Sequence, residues 1–298
     1  MEEEKAMTVM QRKLSRRRFL SISATAAVFT ALPLSNLLAG TPLHRWNGIL
    51  LGSYVSLTLA HPSKTEANRI FESCVHEIKR LENIFTLYDQ RSELSRLNID
   101  GMLDAPSPEM VDILEKSTVY NNITGGAFDI TVKPLEQGRS HDLVGMDKVD
   151  ISSQKIQFKK TGMAITLNGI AQGYITDHVT EILKTEGLEN VLVELGEKRA
   201  IGSHPSGRPW NLALNGQSNS IPLIDTALAT SESISPNTQD AHIFNPKNGN
   251  TTNTHATISV LANNATMADA LSTGFMSLNH SQIETVKAQS KDIIEVYF

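Results

Sequence analysis

The stretch MAITLNGIAQGYITDHVTEILKTEG, residues 163–187, changes its period in mid-course, and that change decides the fold. Met163, Ile165 and Leu167 alternate like the inward side chains of a strand ending at Asn168 and Gly169. Beyond them the apolar residues fall at Ile170, Tyr174, Ile175, Val179, Ile182 and Leu183, the three-and-four spacing of one buried helix face, and Gly187 closes the helix. A strand that runs through a glycine turn straight into a helix calls for a sheet with helices packed on it.

The flanks extend the same mixture. Upstream, Val55, Leu57 and Leu59 alternate within a strand over 51–61, and Ile70, Phe71, Cys74, Val75, Ile78, Leu81 and Phe85 mark a long helix beginning near Ala67. Ser107 and Pro108 start a second helix that runs toward Tyr120 and breaks at Gly125 and Gly126. Val149, Ile151, Ile156 and Phe158 suggest a hairpin. Downstream, strands are expected over 191–194, 210–215, 256–262 and 292–297, with helices over about 267–278 and 281–289. No internal repeat or low-complexity linker interrupts the pattern. The reading is α+β: a single compact domain of mixed sheets with packed helices.

Composition narrows the functional classes. With 40% hydrophobic and 20% charged residues the chain is an ordinary globular protein. Its first 40 residues read as an address label. Ser15, Arg16, Arg17, Arg18, Phe19 and Leu20 match the twin-arginine export pattern, and the apolar run behind them is diluted by Pro33 and Asn36, which argues against a membrane span. The expected division is an export signal over 1–40 and a mature periplasmic domain over 41–298. The signal holds six of the 27 basic and three of the 32 acidic residues, leaving 21 against 29 and a net of eight negative charges. An acidic domain without a basic stripe excludes nucleic acid as a partner. Cys74, alone in the chain, has no partner for an internal disulfide and reads as a core residue.

Three segments pair a tight backbone turn with polar residues that packing does not require. In Thr124, Gly125, Gly126, Ala127, Phe128 and Asp129, two glycines allow close approach of backbone to a ligand and Phe128 could cover a flat ring; a helix stop followed by a strand start explains the same residues. The junction Asn168 to Gly173 offers free helix amides to a phosphate but lacks the spacing of a dinucleotide fingerprint or a P-loop. In Thr266 to Thr273, Asp269 and Thr273 lie four apart, so that on a helix their oxygens can share a hard cation. Thr266 with Asp269 also fits a capping box, a purely structural motif.

In their order and intervals these segments resemble the ApbE family of FAD:protein FMN transferases. The resemblance also runs through Leu51 to Tyr54, Leu81 and Glu82, the run Tyr88, Asp89 and Ser92 to Asn98, Pro134, Asp177, Leu195 and Gly196, Pro209 and Trp210, and His242 and Pro246, so that it covers residues 50–280. It implies magnesium on the Gly169 carbonyl and the side chains of Asp269 and Thr273. It implies flavin and adenine contacts at Leu51, Thr86, Leu87, Tyr88, Ala127, Phe128, Asp129, Thr166, Gln172 and His242, with His242 also the candidate base. The implied reaction takes FAD as substrate, attaches FMN to a threonine or serine hydroxyl of an exported or membrane-bound redox protein, and releases AMP. Membrane association is expected to be peripheral at most. The chain departs from the family pattern at Thr166 and Asn245, where Asp is common, at Gln172, where Lys is common, and at Glu197 and Lys198, where Gly-Asp is common. Those departures keep two other readings open, hydrolysis of FAD to FMN and AMP and non-catalytic FAD carriage.

Overall fold

In a computed structural model, the structure describes residues 40–213, 220–234, 242–252 and 254–298. Residues 1–39, nearly all of the expected export signal, lie outside the described residues. The chain enters as a hairpin of β1 (Leu43–Leu50) and β2 (Ser53–Ala60), turned by Leu51 at φ 54° and Gly52 at φ 69°. Two consecutive left-handed residues are the turn geometry whose twist matches that of paired strands.

Ser63 then caps α1 (Lys64–Phe85) by accepting from the Glu66 N–H, and α1 buries the stripe Ala67, Ile70, Phe71, Cys74, Ile78, Leu81 and Phe85. Ser92 caps α2 (Glu93–Asp100), which ends at left-handed Gly101. After β3 (Met102–Asp104) come α3 (Pro108–Ile123), capped by Ser107, and the short α4 (Lys133–Glu136). β4 (Val149–Ile151) and β5 (Lys155–Phe158) form the expected hairpin and join β3 in a small sheet ordered β3-β5-β4.

The second half holds α5 (Ala171–Thr185), β6 (Val191–Leu195), β7 (Glu197–Ile201), β8 (Trp210–Ala213), β9 (Ser220–Leu223), β10 (Ala227–Glu232), β11 (Thr257–Ala262), α6 (Ala265–Phe275), α7 (His280–Gln289) and β12 (Ile293–Tyr297). The main sheet has seven strands in the order β1-β2-β6-β7-β10-β11-β12, every neighbouring pair antiparallel. Helices α1, α5 and α6 pack on one face. The β8-β9 hairpin covers part of the other, where Trp210, Leu212, Ile221 and Leu223 meet Leu192, Ala200, Leu228 and Leu261. The central strands are thus buried on both sides. Among the described residues no helix is long and apolar enough to cross a membrane.

Two local expectations are corrected. Met163 to Leu167 forms no strand and pairs with none among the described residues. Its backbone is satisfied elsewhere: the Asn98 side chain accepts from the Ile165 N–H (2.7 Å) and donates to the Ile165 carbonyl (2.9 Å), and the Thr166 N–H donates to the Ile130 carbonyl. One amide side chain does the work of a neighbouring strand. The Thr266–Asp269 capping box is also absent, because the cap of α6 is Asn264, which accepts from the Met267 N–H at 2.8 Å.

Candidate active site

The site is built on the contact between α5 and α6. Asp177 of α5 accepts from the N–H groups of Ala265 and Thr266, both at 2.9 Å, and from the Thr266 hydroxyl at 2.6 Å. It thereby satisfies the free amides of the first turn of α6, and it also pairs with Arg199 of β7. One turn earlier on α5, Gly173 lets the helices touch: a Cβ there would stand 2.3 Å from the Ala265 carbonyl oxygen and 2.8 Å from the Asp269 Cβ. The Gly173 N–H donates to Asp269 Oδ2 at 2.9 Å and so fixes that carboxylate.

One turn along α6, Thr273 faces Gly169, where a Cβ would lie 2.7 Å from the Thr273 Oγ1. Ser231 of β10 hydrogen-bonds both Ser272 (2.8 Å) and Thr273 (3.2 Å). Gly169, Asp269 and Thr273 accordingly converge on one cavity of about 670 Å³, which Ala127, Phe128, Asp129, Thr166, Gln172, Glu197 and His242 also line. That volume suits a small-molecule ligand, since such sites run to roughly 300–1,000 Å³.

The remaining site residues of the sequence analysis are placed apart from this cavity. Leu87 and Tyr88 line a neighbouring groove of about 880 Å³ that meets the first at Asn168. Thr86 lines neither: its hydroxyl accepts from the Tyr88 N–H and its carbonyl from Ser92 and Ser95. Leu51 packs half-buried at the hairpin turn, while Ser53, two residues on, reaches the cavity. Phe128 is 3% exposed, with its ring edge-on to Tyr120 and its backbone beneath Gly274. It forms wall, not a free stacking platform. Asp129 is occupied by the Thr131 N–H and hydroxyl and holds the loop; burial raises its pKa, partly offset by those bonds.

His242 stands exposed at the rim on a loop that other residues hold in place. The His141 Nε2 meets the Pro246 carbonyl at 2.6 Å, and the Thr252 hydroxyl donates to the Met276 carbonyl. Asn245 accepts from the Lys247 N–H at 2.9 Å within the same loop, a turn that Asp would make equally well. Ser231 and Ser53 carry no signal in their residue types; in the sequence Ser53 appears only within the Leu51 to Tyr54 likeness and Glu197 only as a departure from the family pattern.

Electrostatically, the floor of the cavity is starved of positive charge. Asp269 is 4% exposed and Glu197 7%. Burial pushes Asp269 up to about 7, with the Gly173 N–H opposing and Asp177 adding to the shift. Burial and then the Asp269 charge raise Glu197 well above the ordinary carboxylate range, with Lys198 opposing. No cluster of three His, Cys, Asp or Glu side chains able to hold a metal occurs among the described residues. The donors that converge are instead one fixed carboxylate, a hydroxyl and a glycine backbone beside a second carboxylate. An all-oxygen set with uncompensated negative charge fits a hard divalent cation, which takes few protein ligands and leaves the rest to water or phosphate.

A pH dependence follows. Unfolded, both carboxylates titrate near pH 4; folded, both hold their protons to higher pH, so the folded chain binds more protons, and Asp269 costs stability as pH rises from about 4 through about 7. In a chelator, the melting temperature should fall between about pH 5 and pH 8, and the slope should flatten in Asp269→Asn. Calorimetry across that range tests this, and a flat or rising curve would contradict it.

A family model described as the ApbE family matches residues 51–298. The chain is 27% identical to a FAD:protein FMN transferase of Haemophilus influenzae, with 93% of this chain and 92% of that protein covered. It is 26% identical to one of Vibrio cholerae, with 74% of each covered. Among solved structures it is similar to the flavin transferase ApbE from Vibrio cholerae, with a TM-score of 0.72 at 22% identity over 86% of this chain and 97% of that one. It is also similar to an ApbE protein from Thermotoga maritima, with a TM-score of 0.74 at 23% identity over 86% and 93%. At such identities the structural likeness establishes the fold.

Proposed function

The chain belongs to the ApbE family, and from that premise we propose that it is an exported, magnesium-dependent flavin transferase that moves the FMN half of FAD onto a threonine or serine of another protein. One observation carries the reading: Gly169, Asp269 and Thr273, drawn from the turn before α5 and two turns of α6, line the same cavity as His242. The names of the curated relatives support flavin transfer, and Ser15 to Leu20 support export to the periplasm.

In the proposed reaction the acceptor hydroxyl attacks the FMN-side phosphorus of FAD, a new phosphorus–oxygen bond forms, the pyrophosphate bond breaks and AMP leaves. His242 takes the hydroxyl proton as general base. Its exposed place at the rim suits a substrate that arrives on another protein. Gly169, Asp269 and Thr273 would hold magnesium, which when bound neutralises the charge that builds on the leaving phosphate. Asp269 is aimed by the Gly173 amide and Thr273 is backed by Ser231, so both oxygens stand ready before substrate arrives. Gln172 lies against Gly196, where an added Cβ would stand 2.6 Å from its Oε1, and offers the pyrophosphate a neutral amide in place of a cation.

The test is AMP release from FAD by residues 41–298 in the presence of a candidate acceptor protein, with magnesium or with a chelator. The reading expects release that chelation stops. FAD that binds and stays intact at every magnesium concentration would favour carriage, and AMP released at full rate without any acceptor would favour hydrolysis. His242→Ala should lower the rate by roughly 10²–10⁴-fold while FAD still binds, the usual contribution of a positioned base. An unchanged rate would remove His242 from the chemistry.

A further inference from the structure

On β7 successive side chains alternate between the two faces of the sheet, so Glu197 and Arg199 face the helix layer while Lys198 and Ala200 face the β8-β9 hairpin. Both inward residues are buried and ionisable, a costly placement for a charge unless each is matched. Arg199 is matched by Asp177 of α5. For Glu197 a paired cation is missing: the charge of Lys198, whose side chain faces the other side of the sheet, and the Thr230 backbone only partly oppose its burial, and no side chain hydrogen-bonds or ion-pairs with it among the described residues. It lines the same cavity as Asp269, whose Oδ2 is taken by the Gly173 N–H and whose Oδ1 is free among the described residues. Two carboxylates, each more than nine-tenths buried, thus line one cavity together with Thr273.

We propose that Glu197 is a second carboxylate of the divalent-cation site, sharing with Asp269 the charge of the cation bound over Gly169 and Thr273. The inference rests on the reading of that site as a magnesium site. It gives physical sense to a buried acid that β7 would otherwise carry at a loss. Two negative charges around one divalent cation leave the floor neutral, whereas a single one would leave it positive. The closer match should raise affinity for the cation, since ligand charge count is a main determinant of affinity in oxygen-ligand sites.

The experiment is titration of the metal-free protein with MnCl2, reading free Mn2+ by electron paramagnetic resonance, for wild type, E197Q and D269A at pH 8, with a melting temperature taken for each without metal. The proposal expects E197Q to bind Mn2+ about tenfold or more weakly and to melt no lower than wild type without metal, because a buried like charge has been removed. Binding by E197Q within about twofold of wild type, alongside loss of binding in D269A, would overturn it and leave the magnesium reading intact. Unchanged binding in both variants would overturn the magnesium reading as well. A lower melting temperature with unchanged Mn2+ affinity would make Glu197 a structural residue and also overturn it. If E197Q does not fold, E197A opens the wall onto the cavity and carries the same expectations.

Discussion

Asp269→Ala should abolish magnesium-dependent release of AMP from FAD while the protein remains folded. A metal supplies several kcal/mol of transition-state charge stabilisation, so its loss lowers the rate by about a thousandfold or more. The fold should tolerate the change because two effects oppose each other. The Gly173 N–H loses its acceptor, which costs about 1–3 kcal/mol for a buried group. A carboxylate that burial and Asp177 both disfavour disappears with it. Asp269→Asn sharpens the test, since its amide oxygen can still accept from Gly173 while the charge is gone. It should fold at least as stably as wild type at pH 8 and be as inactive as the alanine variant. AMP release by chromatography and melting temperature by calorimetry read the two effects separately.

Gly173→Ala should be the most destabilising single-methyl change in the helix layer. The new Cβ would meet the Ala265 carbonyl oxygen at 2.3 Å and its carbon at 2.7 Å, and both are backbone atoms that no rotamer change can move. α5 and α6 must part, at a cost of about 3 kcal/mol or more. For a chain of this size that is a fall in melting temperature of roughly 6–12 °C. The same shift swings Asp269 away from Thr273, so cation affinity should fall with stability. Gly125→Ala is the control. Nothing lies within 4 Å of its Cβ, and with φ at +58° it carries only the left-handed penalty of about 1–2 kcal/mol. Equal melting temperatures for the two variants would show that the helices are not in contact at Gly173.

Most of the long helices were legible in the sequence, and three of them bury a continuous stripe. α1, α3 and α5 each carry one, and Ser107 with Pro108 marks the start of α3 at the residue where the structure caps it. α2 was missed because eight residues hold too few turns to establish a period. β7 was missed for a different reason: Glu197, Lys198 and Arg199 look like a surface run, and only the pairing of Arg199 with Asp177 explains how charges enter a buried strand. Met163 to Leu167 has the alternation of a strand without the partner, because its neighbour is a side chain, Asn98, distant in sequence. The cap of α6 was misplaced by two residues for a related reason. Thr266 looked like a cap because its true acceptor, Asp177, sits on another helix.

The site was partly legible on the same terms. Asp269 and Thr273 could be seen to share a helix face, and the glycines at 169 and 173 to mark a tight turn. That these features face one another across the α5–α6 contact is a tertiary fact. The departures at Thr166, Gln172 and Asn245 gain local explanations only with coordinates. Thr166 accepts from the Asn168 N–H, Gln172 fills the space over Gly196, and Asn245 closes a turn.

The central claim is that this cavity attaches flavin to other proteins, and the most direct measurement is made on the exported proteins of cells that natively carry the gene. That fraction is denatured, separated on a gel and read for flavin fluorescence, with the gene intact, deleted, or replaced by the Asp269→Ala form. The account predicts fluorescent protein bands in the intact strain that vanish on deletion and stay absent with Asp269→Ala. Bands that persist unchanged without the gene would contradict it.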